Sequence, residues 1–134
     1  MRRDAFVRVA SGDTRAMNAR IIDFSTPLAG DPSTPAADRL IAGDPRQTVS
    51  NYFSDATAQF HAGRWSSTRG KWRIRYSESE FCCLTKGRVI LESQAGERWH
   101  FGPGQAFVVP AGFEGTWEVV EDCTKFYAIF EVRT

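Results

Sequence analysis

Tyr76, Glu80 and Lys125 supply a phenol, a carboxylate and an ammonium, a set able to pass protons between side chains and a bound substrate. Such work needs the groups within hydrogen-bond reach of the substrate and pKa values drawn toward neutrality. The sequence gives their types and not their distances, so they stand as catalytic candidates beside a purely structural alternative. In that alternative Glu80 pairs with Lys125, or satisfies the amides of a turn. Burial raises the pKa of a carboxyl group and a nearby cation lowers it, so the two environments pull Glu80 in opposite directions. Trp65, Trp72, Trp117 and Tyr127 are candidate walls around these groups. Metal chemistry has less material, because the chain holds only two histidines, His61 and His100. Neither Cys82 nor Cys83 has a recognisable His partner, and both lie inside a predicted strand. A reactive thiol needs an electropositive, reachable setting, and no sign of one is present.

The elements that must position these residues read as strands. Gln59 to Trp65 and Lys71 to Tyr76 alternate in part, with turn residues between them. Trp72, Ile74 and Tyr76 fall on one face and Arg73 and Arg75 on the other, which predicts that the apolar set points inward. Glu80 to Thr85, Arg88 to Glu92, Arg98 to Phe101, Ala106 to Val109, Gly115 to Glu121 and Lys125 to Val132 continue the series. Short strands at this spacing predict an all-β sandwich or barrel rather than βαβ units. Upstream, Gly30 to Pro45 is rich in Pro, Asp, Gly and Ala without periodicity and predicts an irregular arm. Within it Pro35 to Ile41 is compatible with a short helix, and Ala19 to Phe24 with an extended piece. The division expected is an N-terminal arm over 1–47 and one domain over 48–134.

A chain of 134 residues fits a single domain, since domains commonly run from about 100 to 150 residues. A formal charge of +1, with charges interspersed, gives no field to draw the chain onto nucleic acid or an anionic membrane. No apolar stretch approaches the roughly 20 residues of a membrane helix, and the first residues lack the apolar region of a secretory signal. Three cysteines, without a CxxC pair, argue against a disulfide framework and predict a reducing, cytoplasmic setting.

Two segments carry a resemblance. Glu80 is separated from Gly87 by six residues, and Gly104 is followed after five residues by Pro110-Ala-Gly112. This pair resembles the two signatures of the cupin superfamily. Further landmarks are Gly63-Arg-Trp65, Gly70-Lys-Trp72, Gly96-Glu, Gly102-Pro-Gly104, Phe113-Glu-Gly115-Thr-Trp117-Glu-Val and Lys125-Phe-Tyr127. They are similar to a small single-domain subgroup related to ureidoglycine aminohydrolase and ethanolamine-utilisation cupin proteins, over roughly Thr48 to Val132. The resemblance implies a double-stranded β-helix, the RmlC-like jelly-roll barrel, with Glu80 pointing inward and Lys125 as its favoured cation. It implies homodimers in which the arm takes part.

Metal-dependent cupins hold their ion with three imidazoles and a carboxylate, donors that suit iron or manganese. Their signatures carry His-x-His before the Glu and a His three residues after the last Gly. Here those positions fall within Arg73 to Tyr76 and at Gly115, so no metal or other cofactor is expected; a rearranged site through His61 and Glu80 is the alternative. The resulting expectation is a barrel binding a small polar metabolite through Trp65, Trp72, Tyr76, Glu80, Trp117, Lys125 and Tyr127. A metal-independent enzyme, isomerase-like or ureide-related, and a structural dimer with a filled barrel remain the other two readings.

Overall fold

Trp72, Ile74 and Tyr76 are buried while Arg73 and Arg75 are exposed, so the alternation in the sequence does set which face turns inward. The computed structural model of the protein describes residues 19–134. Nine strands run through them: β1 (Asp31–Ser33), β2 (Leu40–Gly43), β3 (Gln47–Ser54), β4 (Phe60–Ser67), β5 (Gly70–Arg75), β6 (Ser79–Ser93), β7 (Arg98–Phe101), β8 (Ala106–Val109) and β9 (Glu114–Phe130). No helix among the described residues is long and apolar enough to cross a membrane.

Every pairing is antiparallel, and β9 organises them. Its second half pairs with β4, from Cys123 against Ser67 to Phe130 against Phe60. Its first half pairs with β5, from Glu114 against Arg75 to Val119 against Gly70. Strand β6 runs beside both halves, from Ser79 against Phe130 to Ser93 against Gly115. The sheet therefore curls into two facing halves. One carries β1, β3, β4, the end of β9, the start of β6, and β8; the other carries β2, β5, the start of β9, the end of β6, and β7. Trp65 of the first half meets Trp72 and Trp117 of the second, at ring separations of 6.2 and 5.7 Å. This is the curled, all-β architecture of a jelly-roll barrel.

The sequence reading breaks strands between Thr85 and Arg88 and between Glu121 and Lys125; the structure instead carries both through. On β6 the buried set changes phase, from Glu80, Cys82 and Leu84 to Val89 and Leu91, and the register against β9 shifts between Leu84 and Val89. Gly87 makes the corner possible. Its φ is +83°, and a Cβ there would collide with the Asp122 carbonyl of the crossing strand. Gly112, at φ +93°, turns the chain after Pro110, which stands just past the end of β8 as expected of a residue with no ladder donor.

The arm also differs from the reading of its composition. Its β1 pairs with β3 and its β2 with β5, so it adds an edge to each half of the sheet. Pro35 to Ile41 forms a single turn closed by Arg39 N–H donating to the Ala36 carbonyl, not a helix. Pro35 and the strand pairing that begins at Leu40 leave no room for a second turn. Residues 19–23 form no strand; Asp23 caps a turn by accepting from the Ser25 amide at 2.9 Å.

Candidate functional site

Glu80 enters from β6 and Lys125 from β9, where the register sets Leu84 against Lys125 and Glu80 against Ile129, all on the inward face. Lys125 Nζ lies 3.0 Å from Glu80 Oε2, with both side chains 0% exposed. The Tyr76 hydroxyl donates to Glu80 Oε1 at 2.7 Å. The ammonium also donates to Cys82 Sγ at 3.4 Å and sits over the Trp65 and Trp117 rings, 4.7 and 4.3 Å from their centroids. A carboxylate, a thiol and two indole faces thus enclose one cation. Enclosed charge is tolerable only when paired and hydrogen-bonded, and this cluster meets both conditions.

Five of the seven residues expected to bind a ligand therefore meet: Trp65, Tyr76, Glu80, Trp117 and Lys125. Trp72 stands behind them against Trp65, and Tyr127 is drawn elsewhere. The Tyr127 hydroxyl donates to Asn51 Oδ1 at 2.8 Å, and Asn51 Nδ2 donates to Ser54 Oγ at 2.8 Å. Ser54 Oγ lies 2.6 Å from His61 Nδ1, while His61 Nε2 lies 3.1 Å from the Ala58 carbonyl. A carbonyl can only accept, so Nε2 carries the proton and Nδ1 accepts from Ser54. Burial pushes the His61 pKa down, in keeping with this neutral tautomer. Both ring nitrogens of His61 are thus engaged at the β3–β4 hairpin and not at Glu80. His100 is exposed on β7.

The cupin metal set can be tested against these residues. Gly115 stands where the last imidazole would come, and a Cβ there would strike the Glu92 carbonyl. Arg73 and Arg75 face out, and Ile74 and Tyr76 face in. Among the described residues no three His, Cys, Asp or Glu side chains converge. The carboxylate that would ligate an ion already holds an ammonium. The residues present do not fit a cupin metal centre of the usual kind.

Next to the closed cluster lies open space that the sequence reading missed. A cleft of about 290 Å³ is bounded by Leu91, Trp99, Phe101, Phe107, Val109 and Phe113. Phe101 stacks on Phe107 at 4.0 Å, Trp99 meets Phe113 edge-on at 6.2 Å, and Phe107 packs 6.0 Å from Trp117. Trp117 thus packs behind Phe107, with the Lys125 ammonium over its ring. Its indole N–H is buried with no hydrogen-bond partner among the described residues. The signal for these residues was the alternation of Trp99 and Phe101 about His100, and of Phe107 and Val109 about Val108.

Comparison with known proteins agrees with the fold. The model of the EutQ-like cupin domain matches residues 54–127, more than half of the chain. The chain belongs to the EutQ-like cupin family. A solved protein of unknown function from Pseudomonas syringae pv. tomato str. DC3000, of the DUF861 family, is 26% identical, with a TM-score of 0.72 over 81% of this chain. The chain spans 46% of that protein's length. The Clostridium difficile EutQ protein is 13% identical, with a TM-score of 0.59 over 75% of this chain and 74% of its own. A putative ethanolamine utilization protein Q from Salmonella typhimurium LT2 is 9% identical, with a TM-score of 0.61 over 80% of this chain and 99% of its own. At those identities the last two speak for the fold alone. No curated protein is significantly similar to this chain. In this EutQ-like cupin the three cysteines are free, and burial pushes the Cys123 thiol up to about 11, far from a reactive thiolate.

Proposed function

We propose that this EutQ-like cupin is a small-molecule binding protein whose ligand occupies the cleft bounded by Leu91, Trp99, Phe101, Phe107, Val109 and Phe113. The observation that carries this reading is an aromatic-lined space of about 290 Å³. Ligand sites are mostly apolar concavities with a few placed polar groups, and this one stands at the small end of their range of about 300–1,000 Å³. No charged side chain lines the cleft, so an ionic group entering it would lose hydration without a partner. An uncharged ring compound suits it better than a strongly polar metabolite. Free cysteines support a reducing compartment such as the cytoplasm for this activity.

The enzymatic reading asks Tyr76, Glu80 and Lys125 to touch a substrate, and all three are enclosed and bonded to one another. One observation favours the structural reading instead: Trp65, Trp72 and Trp117 fill the barrel centre.

A panel of uncharged aromatic and alicyclic metabolites, followed by tryptophan fluorescence and thermal shift, separates the readings. A ligand at about a hundred times its dissociation constant raises stability by roughly 2.7 kcal/mol. Phe113→Ala, which removes a cleft wall, is expected to weaken any true hit at least about tenfold, equivalent to 1.4 kcal/mol. A panel without hits, or hits indifferent to Phe113→Ala, would leave the filled-barrel structural reading in its place.

A further inference from the structure

Four strands pair on one side only among the described residues: β1, β2, β7 and β8. An edge strand leaves a row of backbone N–H and C=O groups without a ladder, and proteins guard such rows with charge, proline or an irregular register. Three of the four are guarded. Strand β1 carries Asp31 and Pro32, and the proline has no amide to offer. The pairing of β2 shifts between Leu40 and Ala42, which breaks the regular row. Strand β7 carries His100 and Arg98, the latter 3.7 Å from Glu92. Strand β8 has none of these. It reads Ala106, Phe107, Val108, Val109, without charge, proline or a break in its register against β6.

The register fixes which backbone groups of β8 face outward. Leu84 N–H donates to the Gln105 carbonyl at 2.9 Å, so Gln105 turns that carbonyl toward β6. Successive residues of an antiparallel strand alternate in direction. Phe107 and Val109 therefore face Cys82 and Glu80 across the ladder, while Ala106 and Val108 turn N–H and C=O away from the sheet. Side chains alternate as well: Phe107 and Val109 line the cleft, and Val108 stands 60% exposed. A strand laid along β8 would meet the outward donors and acceptors of Ala106 and Val108. Every second side chain of that strand would lie on the cleft side.

We propose that β8 is a docking edge for an extended, uncharged segment of a different protein, which adds to the sheet as a strand and seats its apolar side chains in the cleft. Backbone hydrogen bonds hold such a segment in register, and pockets for alternate side chains select it. Its cleft-side residues must be apolar or aromatic, because no charged side chain lines the cleft to receive an ionic one. A second copy of this chain offers a poorer strand. Phe107 on the inward side of that copy's β8 is already stacked on Phe101 at 4.0 Å within its own barrel. Pairing two such edges would extend the sheet and leave both clefts uncovered, whereas a segment with no core of its own can cover one. A small ring compound needs only the cleft walls; a docked strand also needs the outward backbone of Ala106 and Val108, so the inference goes beyond a small-molecule site.

Capped, dye-labelled peptides of the form Thr-X-Thr-X-Thr, with X as Val, Leu, Phe or Trp, serve as probes in fluorescence anisotropy with the full chain. Val108→Pro removes an outward amide and spares the ladder to β6, so circular dichroism is expected to show a folded variant. That variant is expected to bind the best probe about tenfold or more weakly, the scale of a lost hydrogen bond. The same probe, N-methylated at alternate amides, is expected to bind the unaltered protein weaker by a like factor, a readout that needs no variant to fold. Absence of binding by every probe would overturn the proposal. So would a probe indifferent to both Val108→Pro and N-methylation, which would sit in the cleft without the edge and leave the small-molecule reading standing. Self-association of the full chain that Val108→Pro abolishes would overturn it too, assigning the edge to a second copy.

Discussion

Lys125 places its ammonium in an enclosure built from three kinds of partner. Glu80 supplies the anion, the Trp65 and Trp117 rings their negative faces, and Cys82 a soft acceptor. Removing one partner of such a pair leaves the other charge enclosed, which typically costs about 3–5 kcal/mol, while replacing both costs far less. Lys125→Met is therefore expected to lower stability by about that amount in urea unfolding. Glu80→Gln with Lys125→Met together should recover a large share of it, a coupling that a double-mutant cycle measures directly. A Lys125→Met variant within about 0.5 kcal/mol of the parent, the level of an ordinary surface substitution, would show that the pair does not hold the barrel. The cluster was legible in advance through the cupin resemblance, which implies an inward Glu80 with Lys125 as its cation; strand pattern alone does not pair them. Cys82 was legible only as a core residue; its role beside Lys125 depends on pairing between strands more than forty positions apart.

Among the elements, the corner at Gly87 sets the geometry of everything above it. Two conditions meet there, a left-handed backbone and a strand passing too close for a side chain. Gly104 has the first condition without the second, with φ +85° and open space around it. Gly104→Ala is expected to cost about 1–2 kcal/mol, the strain of alanine in the left-handed region. Gly87→Ala should exceed it by a further 1–3 kcal/mol, the usual penalty for forcing atoms into a packed site. Equal losses in denaturant titrations would mean that the strands adjust and the close approach is unimportant. The same corner explains what the sequence could not show. Where the inward set changes phase, a continuous strand looks like two strands and a turn, since the alternation breaks in both cases. Trp72 to Tyr76 was legible because one strand held one phase. Strands β1 and β2 were hidden for a different reason: three or four residues of Asp, Pro, Ser, Leu, Ile, Ala and Gly become strand only by pairing with β3 and β5. The cleft draws its walls from β6, β7, β8 and the turn after it, so no local pattern marks it.

For the molecule as a whole, the sharing of β6 and β9 between both halves decides how it comes apart. Neither half owns a complete set of ladders, so one cannot open while the other persists. Hydrogen exchange is expected to show the amides of β4 and β5, which lie in different halves, opening with one free energy equal to that of global unfolding. A lower value confined to β5 would reveal an independent unit. The same arrangement has a consequence during biosynthesis. Of the nine strands β9 is the last to be synthesised, yet β4, β5 and β6 all lean on it. Until residues 114–130 emerge, the nascent chain carries Phe81, Trp65 and Trp72 in strands whose central neighbour has not been made. Folding then proceeds after translation of this segment rather than alongside it, and the unfinished chain depends on whatever shields nascent apolar strands in the cell.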